Sequence, residues 1–209
     1  MYDRKQYNLA DPQFKDELLT FFKPDEKLII FDIGGCEGEE SIRYSRLFPN
    51  SSIYIFEPLP KNGALIQNNL KKYRVSNVEF NPIALSDISG TQQFHVSSGH
   101  PNGQPINLDW DFGNKSSSLL PPERHPEITP WLKFSETINV QTDTLFRFMD
   151  QKKIVKIDFL HMDVQGAELK VLQGARDMIE KIKAISLEVS DIELYKGQPK
   201  RIDIEAFYG

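Results

Sequence analysis

Residues 28–41, LIIFDIGGCEGEES, pass from an unbroken aliphatic run into an acid, three glycines and a charged segment. A short continuous aliphatic run is the pattern of a strand covered on both faces of a parallel sheet. The following EGEESIRYSRLFPN has acids in what would be a first helical turn, where the helix dipole favours them, and stops at Pro49. The glycines therefore join a buried strand to a helix. Gly34 and Gly35 permit a tight turn and a close approach of backbone to a ligand, and Gly38 permits the new helix to pack against the first strand.

Outward from this stretch the same alternation repeats. SIYIFEP reads as a second strand, followed by a helix marked by Leu59, Gly63, Ile66 and Leu70; NVEFNPIAL reads as a third strand. After a helix over 144–150, KIDFLHMD is a fourth strand. A helix then carries Ala167, Val171, Leu172, Ala175, Met178 and Ile179 on one face, and IKAISLEVS is a fifth strand. Strand and helix alternating in this way predict an α/β fold: a doubly wound, mostly parallel sheet with right-handed crossovers. Asp11 and Pro12 mark the start of an N-terminal helix over 11–23, with Phe14, Leu18, Phe21 and Phe22 at helical spacing. Residues 95–135 form a Pro-, Gly-, Asn- and Ser-rich excursion, which TQQFHVS and TINVQT are expected to close as an antiparallel ribbon. Within it, Trp110, Trp131, Ser116, Ser117 and Ser118 are candidates for a lid over a bound ligand, since aromatic faces stack on rings and short hydroxyls hydrogen-bond to polar groups.

A chain of 209 residues with 39% hydrophobic content suits one core, so a single domain over 1–209 is expected. The net charge of -5 argues against nucleic acid as a partner. A single cysteine, Cys36, allows no intrachain disulfide and fits a reducing compartment; no apolar run reaches the ~20 residues of a membrane span. The expected location is the cytoplasm. His95, His100, Asp109 and His125 lack ligand spacing on a regular element, so no metal site is expected.

In a doubly wound sheet, ligands bind at the carboxyl edge where the strand order reverses. Asp32 is the last acid of the first strand and points its carboxylate into that crevice. Glu57 ends the second, about twenty residues beyond the turn, where an acid accepts hydrogen bonds from both ribose hydroxyls of an adenosine. A dinucleotide fingerprint would need glycine at Ile33, which disfavours an NAD(P)-dependent oxidoreductase. The turn reads instead as D-x-G-x-x-x-G, with Asp32, Gly34 and Gly38 in place, and resembles motif I of class I S-adenosylmethionine-dependent methyltransferases. Asp32, Glu37, Glu39 and Glu40 around one loop would serve a pyrophosphate badly and suit a zwitterion with a sulfonium.

FLHMDVQGAELKVLQGA, residues 159–175, resembles the signature of the FkbM family of methyltransferases at Asp163, Gly166, Glu168, Leu172, Gly174 and Ala175. FDIGGCEG, FEP, NPIALSD, NKSSSLLPP and LEVS follow the family's order, so the resemblance spans 27–195; Phe146 stands where the family often has an acid, with Asp143 as its nearest substitute. The resemblance implies transfer of a methyl group from S-adenosylmethionine to a hydroxyl of a sugar or secondary metabolite. It implies a cofactor-binding set of Asp32, Gly34, Gly35, Cys36, Gly38, Glu57, Pro58, Ala84, Leu85, Ser86 and Asp163. In that set Asp32 and Gly34 line the methionine end, Glu57 holds the ribose, and residues 84–86 flank the adenine. Asp163 either orients the cofactor's amino group or acts as the catalytic base, and His161, one pleat deeper, is the second candidate base. Cys36 has no paired base in the sequence and reads as a packing residue, while Glu168 reads equally as a helix cap or a functional acid. Members of this class complete the sheet with two further strands after the fifth, which this chain lacks. The exposed edge points to a missing C-terminal segment or a second copy, as in a homodimer. A catalytically silent nucleoside-binding protein is the non-enzymatic alternative.

Overall fold

The computed structural model describes residues 4–103 and 111–208. Helices α1 (Arg4–Asn8) and α2 (Lys15–Phe21) precede β1 (Ile29–Ile33), α3 (Glu39–Leu47), β2 (Ser52–Phe56), α4 (Pro60–Lys72) and β3 (Val78–Asn81). The middle of the chain holds β4 (Ala84–Leu85), β5 (Gly90–Gly99), a 3-10 turn at Phe112–Ser116, α5 (His125–Ile128) and β6 (Leu132–Asp143). Then come α6 (Leu145–Lys152), β7 (Ile157–Met162), α7 (Glu168–Ala175), a 3-10 stretch at Arg176–Lys181, β8 (Ile182–Leu187) and α8 (Arg201–Tyr208).

The main sheet is parallel throughout, in the order β3-β2-β1-β7-β8. Its strands read as continuous aliphatic runs because both faces are covered. Phe31, Ile33, Phe56, Phe148, Leu160, Met162 and Leu172 pack on one side, and Leu18, Phe22, Ile30, Tyr44, Phe48 and Phe159 on the other. No strand pairs with the outer side of β8 among the described residues. Among them, too, no helix is long and apolar enough to cross a membrane.

Four elements differ from the sequence expectation. The N-terminal helix starts at Lys15 rather than near Asp11, because the Asp11 carboxylate is taken by the Lys15 ammonium at 2.9 Å and caps nothing; α1 was not expected. The third strand divides: Val78–Asn81 joins the main sheet, Pro82 offers no N–H to continue the ladder, and Ala84–Leu85 leaves for a second sheet. That sheet has the order β4-β6-β5, and its antiparallel ribbon runs from Gly90 opposite Thr142 to Gly99 opposite Leu132. The irregular excursion is therefore narrower than residues 95–135, although the expected ribbon pairs as anticipated. Finally, the helix after β7 stops at Ala175, where Arg176 turns left-handed (φ 51°), and Met178 and Ile179 reach the core from the 3-10 stretch.

The strand order reverses at β1, which pairs with β2 on one side and β7 on the other. Here the Gly34 and Gly35 N–H groups both donate to the Phe56 carbonyl at 3.0 Å, and the Asp163 N–H donates to Ile33 at 2.9 Å. Gly34 is left-handed (φ 85°), and a Cβ on it would collide with the Asp163 carbonyl. Gly174 is held by a different contact: its face of α7 lies against the Ser86 carbonyl, leaving no space for a methyl group. In an exposed helix, glycine to alanine stabilises by up to ~1 kcal/mol. Here the sign reverses: Gly174→Ala is expected to lower the unfolding free energy by about 1–3 kcal/mol through overpacking, as read from denaturant midpoints.

Candidate active site

Two adjoining cavities open at the carboxyl ends of β1, β2 and β7. The first, about 500 Å³, is lined largely by apolar groups, including Ile33, Phe56, Pro58, Ala84, Leu85 and Phe94, with Glu57 and Asp163 among them. The second, about 810 Å³, is polar, lined by Asp32, Glu39, Glu40, His161 and Asp163 together with Tyr7, Phe14 and Tyr44. Gly34, Cys36, Lys115 and Asp163 line both, and so form the wall between them.

Glu57 is positioned by the turn itself. Its carboxylate accepts the N–H of Cys36 at 3.0 Å and the N–H of Leu59 at 2.8 Å, and the side chain is 5% exposed. Burial pushes its pKa up to about 7 against the pull of those two N–H groups. The Asn62 side chain is a third donor to this carboxylate, which still has acceptor capacity left for a ligand hydroxyl. The chemistry of an apolar cavity ending on such a carboxylate suits the adenosine of S-adenosylmethionine. The fit is to a nucleoside and an amino acid, because the loop that would meet a pyrophosphate is crowded with carboxylates.

Asp32 is buried on the other face of β1, where its Oδ2 accepts the Ser41 hydroxyl at 2.6 Å. His161 Nδ1 stands 3.5 Å from Asp32 Oδ1, within ion-pair range but without hydrogen-bond alignment. Burial alone would lower the imidazole pKa, but Asp32, with Glu40 and Asp163 behind it, raises it. Cys36 is left-handed (φ 46°), and burial raises its thiol well above the ordinary value, so it offers a backbone N–H rather than a nucleophile. Asp163 accepts the Gln165 amide at 2.6 Å; the same amide reaches Glu188 at 3.2 Å. Burial, then the Asp163 charge, raises the Glu188 pKa. Glu168 lies underneath, its Oε1 accepting the Val164 and Gly166 N–H groups at 3.2 Å, as a cap of the bend after β7.

Two residues of the expected set line neither cavity. Gly38 is the left-handed N-cap of α3 (φ 83°), and a Cβ added there would meet Ile66 of α4 only at ordinary contact distance; backbone conformation, rather than packing on β1, requires glycine there. Ser86 is fully buried beneath α7, donating to Asp87 at 2.8 Å and accepting from Gln92 at 3.0 Å. Trp131 also lines neither cavity, and Asp143 accepts the N–H of Thr144 at 2.8 Å, the residue whose side chain caps α6. Trp110 and Asp109 lie outside the described residues.

The structure brings in residues not singled out in advance. Asn114 is buried and donates to Glu37 Oε1 at 3.0 Å and Asn62 Oδ1 at 3.4 Å, which clamps the 3-10 turn onto the glycine loop and α4. Lys115, next to it, pairs with Glu39 and donates to the Tyr7 hydroxyl at 3.1 Å. The polar run NKSSS was the only signal for them, because an irregular segment has no period to show which side chain points inward.

The profile of the Methyltransferase FkbM domain matches residues 32–208. The 2-O-methyltransferase NoeI of Sinorhizobium fredii (strain NBRC 101917 / NGR234) is 33% identical over 176 residues, 84% of this chain and 68% of that protein. Methyltransferase 1 of Beauveria bassiana (strain ARSEF 2860) is 25% identical over 155 residues, 74% of this chain and 60% of that protein. The chain thus spans roughly two thirds of the length of these relatives. Among solved structures, Precorrin-6y C5,15-methyltransferase of Geobacter metallireducens GS-15 is similar, at 15% identity and TM-score 0.44, covering 90% of this chain and 72% of that one. From Asp32 at the end of β1 to α8, the chain belongs to the FkbM family of methyltransferases, and S-adenosylmethionine is its cofactor.

Proposed function

We propose that this protein methylates a hydroxyl oxygen on a saccharide or a similarly polar small molecule. The observation that carries the reading is the continuity of an apolar cavity ending on Glu57 with a polar one, with Asp163 on the wall they share. The name of the S. fredii relative, a 2-O-methyltransferase, supports oxygen as the accepting atom. When bound, the cofactor supplies an electrophilic methyl group on a sulfonium. Glu57 holds the ribose diol, Pro58, Ala84 and Leu85 pack on the adenosine, and the acids of the second cavity receive the cofactor's ammonium. Asp163 takes the acceptor's hydroxyl proton as the oxygen attacks. It is favoured over His161 because Asp32 raises the pKa of that imidazole, which works against its service as a neutral proton acceptor. Gln165 and Glu188 hold the Asp163 carboxylate in place. The single free Cys36 suits a reducing, cytoplasmic setting, and the open edge of β8 is where a second copy would add.

Transfer of a labelled methyl group from S-adenosylmethionine to a panel of oligosaccharides, with the product's ether position read by mass spectrometry, tests the reading. No labelled saccharide across the panel would remove it. Asp163→Asn is expected to lower kcat by about 10²–10⁴-fold while S-adenosylhomocysteine affinity stays within a few-fold; a loss confined to cofactor affinity would make Asp163 the ammonium's partner. For Glu57 the pH sign follows from its raised pKa of about 7: the carboxylate that accepts the diol is present above pH 7 and is lost below it. S-adenosylhomocysteine affinity is therefore expected to be level above pH 8 and to fall about fivefold between pH 7 and 6. Glu57→Gln should abolish that slope and cost about 1–3 kcal/mol of binding at pH 8 by calorimetry.

A further inference from the structure

We propose that Lys115 binds the carboxylate of the cofactor's amino-acid tail, and that its pair with Glu39 holds the ammonium in the wall between the cavities until that carboxylate arrives. The proposal rests on the adenosyl reading above and assigns one residue within it. Among the described residues, the polar cavity is lined by four carboxylic acids, Asp32, Glu39, Glu40 and Asp163, and by one lysine or arginine, Lys115. His161, the other basic group there, faces Asp32. A zwitterionic tail entering this space has several partners for its ammonium and one permanent cation for its carboxylate. An uncompensated carboxylate among those acids would be strongly disfavoured in a half-buried site.

Three contacts hold Lys115 at the right place. Its neighbour Asn114 is buried and bonded to Glu37 and Asn62, so the 3-10 turn cannot slide along the crevice. The Lys115 ammonium pairs with Glu39 Oε1, and Glu39 Oε2 is itself anchored by the Glu37 N–H at 3.0 Å. Tyr7 closes the outer side, its hydroxyl 3.1 Å from the ammonium and its ring centroid 5.1 Å away, and Arg43 stacks on the same ring at 4.5 Å. Lys115 lines the apolar cavity as well as the polar one, so it is within reach of a ligand that spans the two. When the ligand carboxylate takes the Lys115 ammonium, the released Glu39 Oε1 is left for the ligand's own ammonium, so both charges of the zwitterion find partners and Glu39 is not left unpaired.

Calorimetry with two ligands separates this role from general support of the crevice. S-adenosylhomocysteine carries the amino-acid tail, and 5′-methylthioadenosine has the same adenosine and thioether without it. Lys115→Met is expected to weaken S-adenosylhomocysteine by at least about tenfold and to leave 5′-methylthioadenosine within about twofold; Lys115→Arg should recover most of the loss. Unchanged S-adenosylhomocysteine affinity in Lys115→Met, or an equal loss for both ligands, overturns the assignment. Failure of the wild-type protein to bind either ligand would instead overturn the adenosyl reading itself.

Discussion

The Asp163 carbonyl lies against the Cα of Gly34, at the point where the chain leaves β1 in one direction and β7 in the other. The site depends on that contact. A Cβ at residue 34 would push the two strand exits apart, and with them the N–H of Asp163 from Ile33 and the paired N–H groups of Gly34 and Gly35 from Phe56. Three strand ends are thereby tied within one turn. The same turn throws Cys36 into a left-handed conformation, which aims its N–H at Glu57. A non-glycine residue held there carries local strain of order 1 kcal/mol, which a buried, charge-accepting hydrogen bond offsets. The acid at the end of β2 and the acid beyond β7 are thus placed by a single backbone arrangement rather than by separate loops.

The sequence displays the parts of this arrangement that repeat or that obey a backbone rule. Strands buried on both faces leave aliphatic runs, so β1, β2, β7 and β8 are readable without a structure. Gly34, Asp32 and Glu57 are readable because their places are fixed relative to a strand end. What is hidden depends on where an irregular chain happens to return. Asn114 and Lys115 sit in a short 3-10 turn, and their neighbours in space, Glu37, Asn62, Glu39 and Tyr7, are far away along the chain. Ser86 misleads for the opposite reason. It follows Leu85, which does line the apolar cavity, but β4 has left the main sheet by then, and the next side chain turns under α7. Proline alone marks that departure, and a single Pro82 does not say which sheet the following residues join.

The charge of the crevice bears on the chemistry it can host. In a site this buried, charge created or destroyed without compensation is costly, because the effective dielectric is far below that of water. Methyl transfer from a sulfonium to a neutral hydroxyl removes one positive charge from the cofactor, and if the hydroxyl proton passes to Asp163 it also removes one negative charge from the protein. The sum is the same before and after. A neutral base such as a deprotonated His161 would leave a new imidazolium where the sulfonium had been, moving a cation across the crevice toward Asp32 instead of cancelling it. The carboxylate on the cavity wall is therefore suited to closing the cycle without displaced charge, and the Glu188 side chain linked to it through Gln165 has its own pKa raised by burial and by that same Asp163 charge.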